Sequence, residues 1–316
     1  MSNKKFDVIT FGRSSIDLYS QNIGASFNDI KGFDAFVGGS PLNIAVGCAR
    51  LGVNASLLTA VGNDKVGEFI LNFLDGEGVN THCIPLVYYR DNAADSQVDI
   101  DDVDKANIPD YKILLINGTA LNIEPTRSAT FYATEIANRN DVDVVLDLDF
   151  RADQWHDYRA FGLTVRAILP RVKMAIGTEE EILAATLINA SQVTIKEQQI
   201  SAPEIKGDID VSIKQLLSSG IETLIVKRGE KGASIYQKDG SREDVPGFPV
   251  EVLNVLGAGD AFASGFLYGI LQGWDLQKAC RMGNASGAQV VTKKGCANFM
   301  PTLEESMDFI NQKGGF

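Results

Sequence analysis

From residue 112 onward, short apolar runs alternate with segments of helical length. That alternation restricts the possible folds more than any other feature of the chain. Strands are expected at 112–117, 142–148, 172–176, 222–227 and 232–236, and helices at 125–138, 159–168, 179–188, 209–218, 260–272 and 276–292. Runs such as Ile113-Leu114-Leu115-Ile116 are apolar at successive positions, not at alternate ones. A strand of that kind has no polar face to turn to water, so both its faces must be covered. Parallel strands need long crossovers, and helices supply them. The expected class is α/β, with a doubly wound sheet between two helical layers. Ligands of such sheets gather beyond the carboxyl ends of the strands. Asp147-Leu148-Asp149-Phe150-Arg151 reads as one such end.

The first third is less regular. Residues 6–12 read as a first buried strand, followed by Arg13-Ser14-Ser15-Ile16-Asp17. The glycine-containing stretch 18–37 is too irregular for a helix and reads as short strands covering something. Gly38-Gly39-Ser40-Pro41 then permits a hinge or a close backbone approach, and Pro41 suits the first position of a helix over 42–51. Asn43, in that first turn, is either a capping-region residue or a hydrogen-bonder to ligand. A strand at 55–61 and a helix at 66–74 follow. Seven aspartates crowd residues 91–110 and read mostly as a solvated face. Arg90, beside them, is either charge-paired or held for a carboxylate. Residues 189–208 read as a peripheral loop, and 237–250 as a hairpin-like excursion.

With 316 residues, 45% of them hydrophobic, one large domain and a smaller appendage are expected. The formal charge of −12 argues against a nucleic-acid backbone or an anionic membrane surface as partner. The cysteines at 48, 83, 280 and 296 have no short-spaced pattern and read as reduced thiols. The first ten residues carry no signal-type apolar region, so a cytoplasmic location is expected. With only His82 and His156, and no cysteine cluster, a zinc site is not expected. Neither a Gly-x-x-x-x-Gly-Lys-Ser/Thr loop nor a Gly-x-Ser-x-Gly elbow occurs.

What remains is Gly257-Ala258-Gly259-Asp260, which opens a strongly apolar segment of helical length. Glycines leave room for a ligand, and the N–H groups of the next helical turn lack partners within the helix. The helix dipole also favours an anion there. Asp260 would repel that anion. It fits if it is a base that takes a proton from an attacking hydroxyl during phosphoryl transfer. The alternative is an ordinary helix start with an acidic residue in its first turn.

Two ordered stretches then resemble a known family. Gly38-Gly39-Ser40-Pro41-Leu42-Asn43-Ile44-Ala45, with Ala49-Arg50-Leu51-Gly52, resembles the N-terminal signature of the ribokinase-like (PfkB) sugar kinases. Gly257-Ala258-Gly259-Asp260 resembles their C-terminal signature. The resemblance covers about residue 6 to residue 302. It implies an α/β/α kinase domain over 6–17, 38–82 and 111–302, and a small β-sheet lid over 18–37 and 83–110. Residues 303–316 would be a C-terminal helix and tail. It further implies ATP and Mg²⁺, and a homodimer clasped through the lids. Asp17, Gly39 and Asn43 would hold sugar hydroxyls. Asp260 would be the base, and Gly257, Ala258 and Gly259 the anion hole. Glu180 would organise Mg²⁺ through water. Lys227, Gly229 and Gly232 would lie on the nucleotide side, with Asn284 near the adenine. Asn254 stands where relatives carry an aspartate that helps bind a monovalent cation, which leaves a potassium requirement open.

Gly12 to Tyr19, Tyr89 to Asp95 and Val226 to Gly229 resemble the branch of the family that acts on a sugar acid. A carboxylate suits arginine, whose planar fork offers two parallel hydrogen bonds. Arg90, Arg13 and Arg151 are the candidates, in that order; the alternative is that each pairs with a nearby aspartate. Other sugar acids, fructose and ribose are rival substrates. A sugar-binding regulator without turnover is the rival of another class.

Overall fold

The computed structural model describes residues 4–22, 24–62, 64–82, 86–87, 93–155, 157–189, 192–194, 204–293 and 295–316. In chain order the strands are β1 (Phe6–Phe11), β2 (Ser15–Ser20), β3 (Phe33–Gly38), β4 (Ala55–Leu58), β5 (Val61–Gly62), β6 (Leu86–Val87) and β7 (Tyr111–Asn117). They continue with β8 (Asp143–Asp147), β9 (Met174–Thr178), β10 (Val193–Thr194), β11 (Glu204–Ile205), β12 (Thr223–Lys227), β13 (Ala233–Gln237) and β14 (Arg242–Val245). The α-helices are α1 (Ser40–Arg50), α2 (Lys65–Gly76), α3 (Ile100–Ala106), α4 (Thr126–Arg139), α5 (Tyr158–Ile168), α6 (Glu179–Ala185), α7 (Ile209–Ser218), α8 (Ala258–Leu271), α9 (Leu276–Val290) and α10 (Leu303–Gln312).

Eight strands form the central sheet in the order β14-β13-β12-β9-β8-β7-β1-β4. From β12 to β4 every pairing is parallel; β13 and β14 add an antiparallel edge. The apolar runs divide by parity, because successive side chains leave a strand on opposite faces. On β7, Leu114 and Ile116 join a core with α3, α4, α5, α6 and α7. Ile113 and Leu115 join the opposite core, with α1, α8 and α9. This is the doubly wound sandwich expected from the alternation. The chain leaves β1 towards β4 on one side and returns to β7 on the other, so the order reverses at β1. The crevice beyond the carboxyl ends of the strands opens at such a point.

Beside the body, β2 and β3 form a two-stranded antiparallel hairpin, with Asp17 opposite Phe36 and Ser15 opposite Gly38. It is the small β-sheet lid. The stretch 83–110, read from the sequence together with the lid, divides differently. Residues 83–85 and 88–92 lie outside the described residues. In its second half Val98, Val103, Ala106 and Ile108 are buried in the same core as β1 and β7. The aspartate run explains why that half is helical and not a strand. The side chain of Asp99 accepts from the Asp102 N–H and that of Asp102 from the Asp99 N–H, a capping box that starts α3. At the other end of the chain, Ile310 of α10 packs with Leu51, Phe248, Met282 and Ala285.

Candidate active site

The register of the central sheet sets out one half of the site. Asn117 ends β7 directly opposite Asp147, the last residue of β8. Lys227 ends β12 opposite Thr178, the last residue of β9. Four strands therefore deliver a polar residue to the same carboxyl edge. Lys227 Nζ lies 3.1 Å from Asp147 Oδ1 and 3.8 Å from Glu181 Oε2. Burial works against the ammonium, but Asp147 and Glu181, with Asp260 behind them, outweigh it and hold the Lys227 pKa above the ordinary lysine value. Arg151 is likewise engaged. Its Nε and Nη2 both lie 2.8 Å from Asp149 Oδ1, and Asp149 raises its pKa.

The other half is built by two helix starts that face each other. Gly39, at φ +105°, precedes α1; a Cβ there would come within 2.5 Å of the Arg13 carbonyl oxygen, so only glycine fits. Gly257, at φ +79°, precedes α8, whose first residues are Ala258, Gly259 and Asp260. Asp260 is 8% exposed. Ser40 Oγ donates to its Oδ1 at 2.5 Å, and Asn43 Nδ2 to its Oδ2 at 2.8 Å. Asn117 Nδ2 donates in turn to Ser40 Oγ at 2.8 Å. Burial, then the charge of Asp149, push the Asp260 pKa up; Ser40, Asn43 and Arg151 pull against them, and the net direction is upward. The carboxylate is thus a stronger base than a free aspartate, in a fixed orientation.

Among the described residues, three buried polar atoms near this network have no hydrogen-bond partner: Asn43 Oδ1, Asn117 Oδ1 and Arg13 Nε. Unpaired buried polar groups are costly, and each needs a reason. Arg13 is half-buried, and its charge acts on Asp95. Burial raises the Asp95 pKa to about 6 and Arg13 moderates the rise.

Asp260, Asn43, Gly39, Gly257, Ala258, Gly259, Lys227 and Arg151, all expected from the sequence, therefore come together. Asp17 stands in the lid hairpin against Gly38, where a Cβ would lie 2.3 Å from its Oδ2. Gly229 (φ +58°) and Gly232 (φ +88°) shape the turn after β12. Asn284 is buried and donates to the carbonyls of Val245 and Pro246, at 3.2 and 3.0 Å. Arg90 lies outside the described residues. Glu180 is half-buried in the first turn of α6, and the acid of that turn beside Lys227 is Glu181. Its signal was present in the sequence: Thr178-Glu179-Glu180-Glu181 is a capping box, and Glu181 closes it by accepting from the Thr178 N–H at 2.7 Å. Ser40, Asn117 and Asp147 were also missed as members of the site. Their signal was position alone, at a helix start and at two strand ends.

Among the described residues no cluster of three or more metal-ligating side chains occurs, and no helix is long and apolar enough to cross a membrane.

The model of the pfkB family of carbohydrate kinases matches residues 5–88 and 85–303. A 5-dehydro-2-deoxygluconokinase from Clostridium perfringens is 31% identical over 332 residues, 98% of this chain and 94% of its own. One of the same name from Bacillus anthracis is 32% identical over 331 residues, 98% and 96% of the two chains. The fold superposes on a putative ribokinase II from E. coli in complex with ATP and Mg²⁺, with a TM-score of 0.83 and 23% identity over 97% of this chain and 99% of that one. It also superposes on a Xylella fastidiosa fructokinase with bound ATP, with a TM-score of 0.81 and 24% identity over 96% and 98%. The chain belongs to the pfkB family and is an ATP-dependent carbohydrate kinase.

Proposed function

We propose that the chain transfers the terminal phosphoryl group of ATP to the 6-hydroxyl of 5-dehydro-2-deoxy-D-gluconate, a sugar acid. The observation that carries the acid part is Arg13. Arg13 is half-buried, its carbonyl lies against Gly39, and its buried Nε has no hydrogen-bond partner among the described residues. A carboxylate is the group best matched to that planar donor set. Arg151 is less suited, because Asp149 already occupies two of its donors. The names of the relatives at 31–32% identity point to the same substrate.

In this reading Asn43 Oδ1, Asn117 Oδ1 and Asp17 receive sugar hydroxyls, and Asp260 takes the proton of the 6-hydroxyl. Each retains an acceptor suited to the task, and Asp260 is held in place by Ser40 and Asn43. The N–H groups at the start of α8 steady the negative oxygens of the group in transfer. Gly229 and Gly232 leave room on the nucleotide side. Mg²⁺ commonly rides on nucleotide phosphates with one or two carboxylates; Glu180, in the first turn of α6, would organise it through water, with Asp147 and Glu181 as further oxygen donors near Lys227. The ion, when bound, offsets phosphate charge.

ADP release measured across a panel at fixed ATP tests the assignment. The keto acid is expected to exceed fructose and ribose in kcat/KM by at least about tenfold, the scale of one charge-assisted contact. Preference for a neutral sugar would overturn the acid and leave the kinase.

A further inference from the structure

Two amides built alike meet Asp260. Asn43 Nδ2 donates to its Oδ2 at 2.8 Å, and Asn43 Oδ1 has no partner among the described residues. Asn117 reaches the same carboxylate through a hydroxyl. Its Nδ2 donates to Ser40 Oγ at 2.8 Å, and Ser40 Oγ donates to Asp260 Oδ1 at 2.5 Å. Asn117 Oδ1 also has no partner among the described residues. Each amide therefore sends its donor towards the carboxylate and leaves its acceptor open. A serine hydroxyl has a single proton. Because Asn117 donates to Ser40 Oγ, that proton is left for Asp260. A separation of 2.5 Å is that of a hydrogen bond to an ionised carboxylate, stronger than a neutral one. The end of β7 and the starts of α1 and α8 supply the three side chains, all buried, so water competes little for these bonds.

We propose that Ser40 is a positioning residue for Asp260 and that Asn117 acts through it, so that one amide both reads the acceptor and aims the base. The inference rests on the base role of Asp260 and is independent of which sugar or sugar acid is the acceptor. The acceptor O–H bond breaks as its oxygen bonds to the terminal phosphorus and the bridging bond to ADP breaks. The acceptor proton goes to Asp260, and Ser40 keeps its own. Before that step the carboxylate must be ionised. Burial, then Asp149, favour its neutral form, while Ser40, Asn43 and Arg151 oppose them. Asp147 of β8, Lys227 of β12 and Cys296 also act on it electrostatically. Within that balance the Ser40 proton, directed by Asn117, favours the ionised form, because a protonated carboxyl accepts more weakly.

Removing the Ser40 hydroxyl alone would leave Asn117 Nδ2 unpaired, so the test uses Ser40→Ala, Asn117→Leu and the two together. Steady-state rates of the full chain would be measured against pH, with Mg²⁺–ATP and the acceptor preferred in the panel above. The fall of kcat at low pH reports the base in the bound complex. Ser40→Ala should move that fall up by about one pH unit, the size of one charge-assisted hydrogen bond, and leave KM for the acceptor within about threefold. Asn117→Leu should move it the same way by less, and should raise KM for the acceptor about tenfold. The double variant should move it no further than Ser40→Ala, since the amide acts through the hydroxyl. A packing role alone would lower kcat equally at every pH, and that result in the folded double variant would overturn the proposal. So would shifts that add independently in the double variant. An unshifted profile beside an inactive Asp260→Asn would overturn the relay and leave the base. Near-normal turnover by Asp260→Asn would overturn the base reading, and the proposal with it.

Discussion

Asp260 divides the site into two halves that treat polar groups in opposite ways. On the β8 and β12 side, Lys227 meets Asp147 and Glu181, and Arg151 meets Asp149. On the α1 and β1 side, Asn43, Asn117 and Arg13 each keep a buried polar atom without a partner among the described residues. The first half is preorganised. Its charges are already held by strand ends, which move little because the sheet between two cores fixes them. The second half carries an unmet demand for hydrogen bonds, which a polyhydroxylated ligand would satisfy. Preorganised charge is what charge transfer needs, and unmet donors and acceptors are what discrimination needs. Specificity should therefore respond to changes in one half and turnover to changes in the other.

Asp260, at the boundary, offers the largest test of that division. Asp260→Asn should lower kcat by about 10²–10⁴-fold, the range for loss of a positioned base. It should nonetheless fold. Asn43 Nδ2 would then face an amide, but its own Oδ1 has no partner, so a flip of the Asn43 amide would restore the hydrogen bond. The sign on stability follows from the raised pKa. A carboxyl raised by folding costs stability once ionised, and costs nothing below its unfolded pKa, about 4. The variant should therefore gain in Tm at neutral pH relative to wild type, and that gain should fade as pH falls towards 4. Near-normal phosphoryl transfer by the asparagine variant would remove Asp260 from the base role and collapse the boundary.

Arg13→Ala addresses the acceptor half by itself. A charge-assisted hydrogen bond contributes about 1.5–3 kcal/mol, so KM for the sugar acid should rise by about ten- to a hundredfold. KM for ATP should stay within about twofold, because Lys227 and the start of α8 lie on the other side of Asp260. Initial rates with each substrate varied would show it. Equal, small increases for both substrates would mean that Arg13 serves only Asp95.

Much of this architecture was legible before any coordinates. The apolar runs of β7, β8, β9 and β12, four successive apolar side chains in the first and three in each of the others, pointed to a sheet covered on both faces. Gly257 to Asp260 was legible because a positive φ and an unpaired helical turn have local sequence requirements. What local pattern could not supply was convergence. Nothing near Asn117 in the sequence reveals that Ser40 lies 2.8 Å away, because that distance depends on strand register across the switch in the sheet. Glu181 was not foreseen beside Lys227, because only the capping geometry fixes which of the adjacent glutamates on that helix start turns back towards the strand end. The second half of 83–110 was misplaced for a related reason. Its aspartates look solvated, and those at 99, 101 and 104 are exposed, while Val103 and Ala106 among them are buried against the main core.

The smallest effect is expected where the lid meets the body. Tyr19 of β2 stands 3.3 Å from Cys296 Sγ, and Phe36 of β3 faces both Tyr19 and Phe299. Burial, then the hydrogen bond to Cys296, push the Tyr19 pKa up, so its hydroxyl remains protonated across the working range. Burial likewise pushes the Cys296 thiol up to about 12. The contact is therefore neutral on both sides and should not respond to moderate pH. A Cβ on Gly257 would lie 3.0 Å from Cys296 Cβ, so the same cysteine backs the turn before α8. Tyr19→Phe keeps the ring packing and removes one neutral hydrogen bond, about 0.5–1.5 kcal/mol. KM for the acceptor should rise by roughly two- to tenfold, with kcat little changed. ATP hydrolysis without acceptor should also rise, because a looser hairpin admits water to the transferring group. A fall in kcat with KM unchanged would place Tyr19 with the preorganised half and remove the hairpin from the discriminating one.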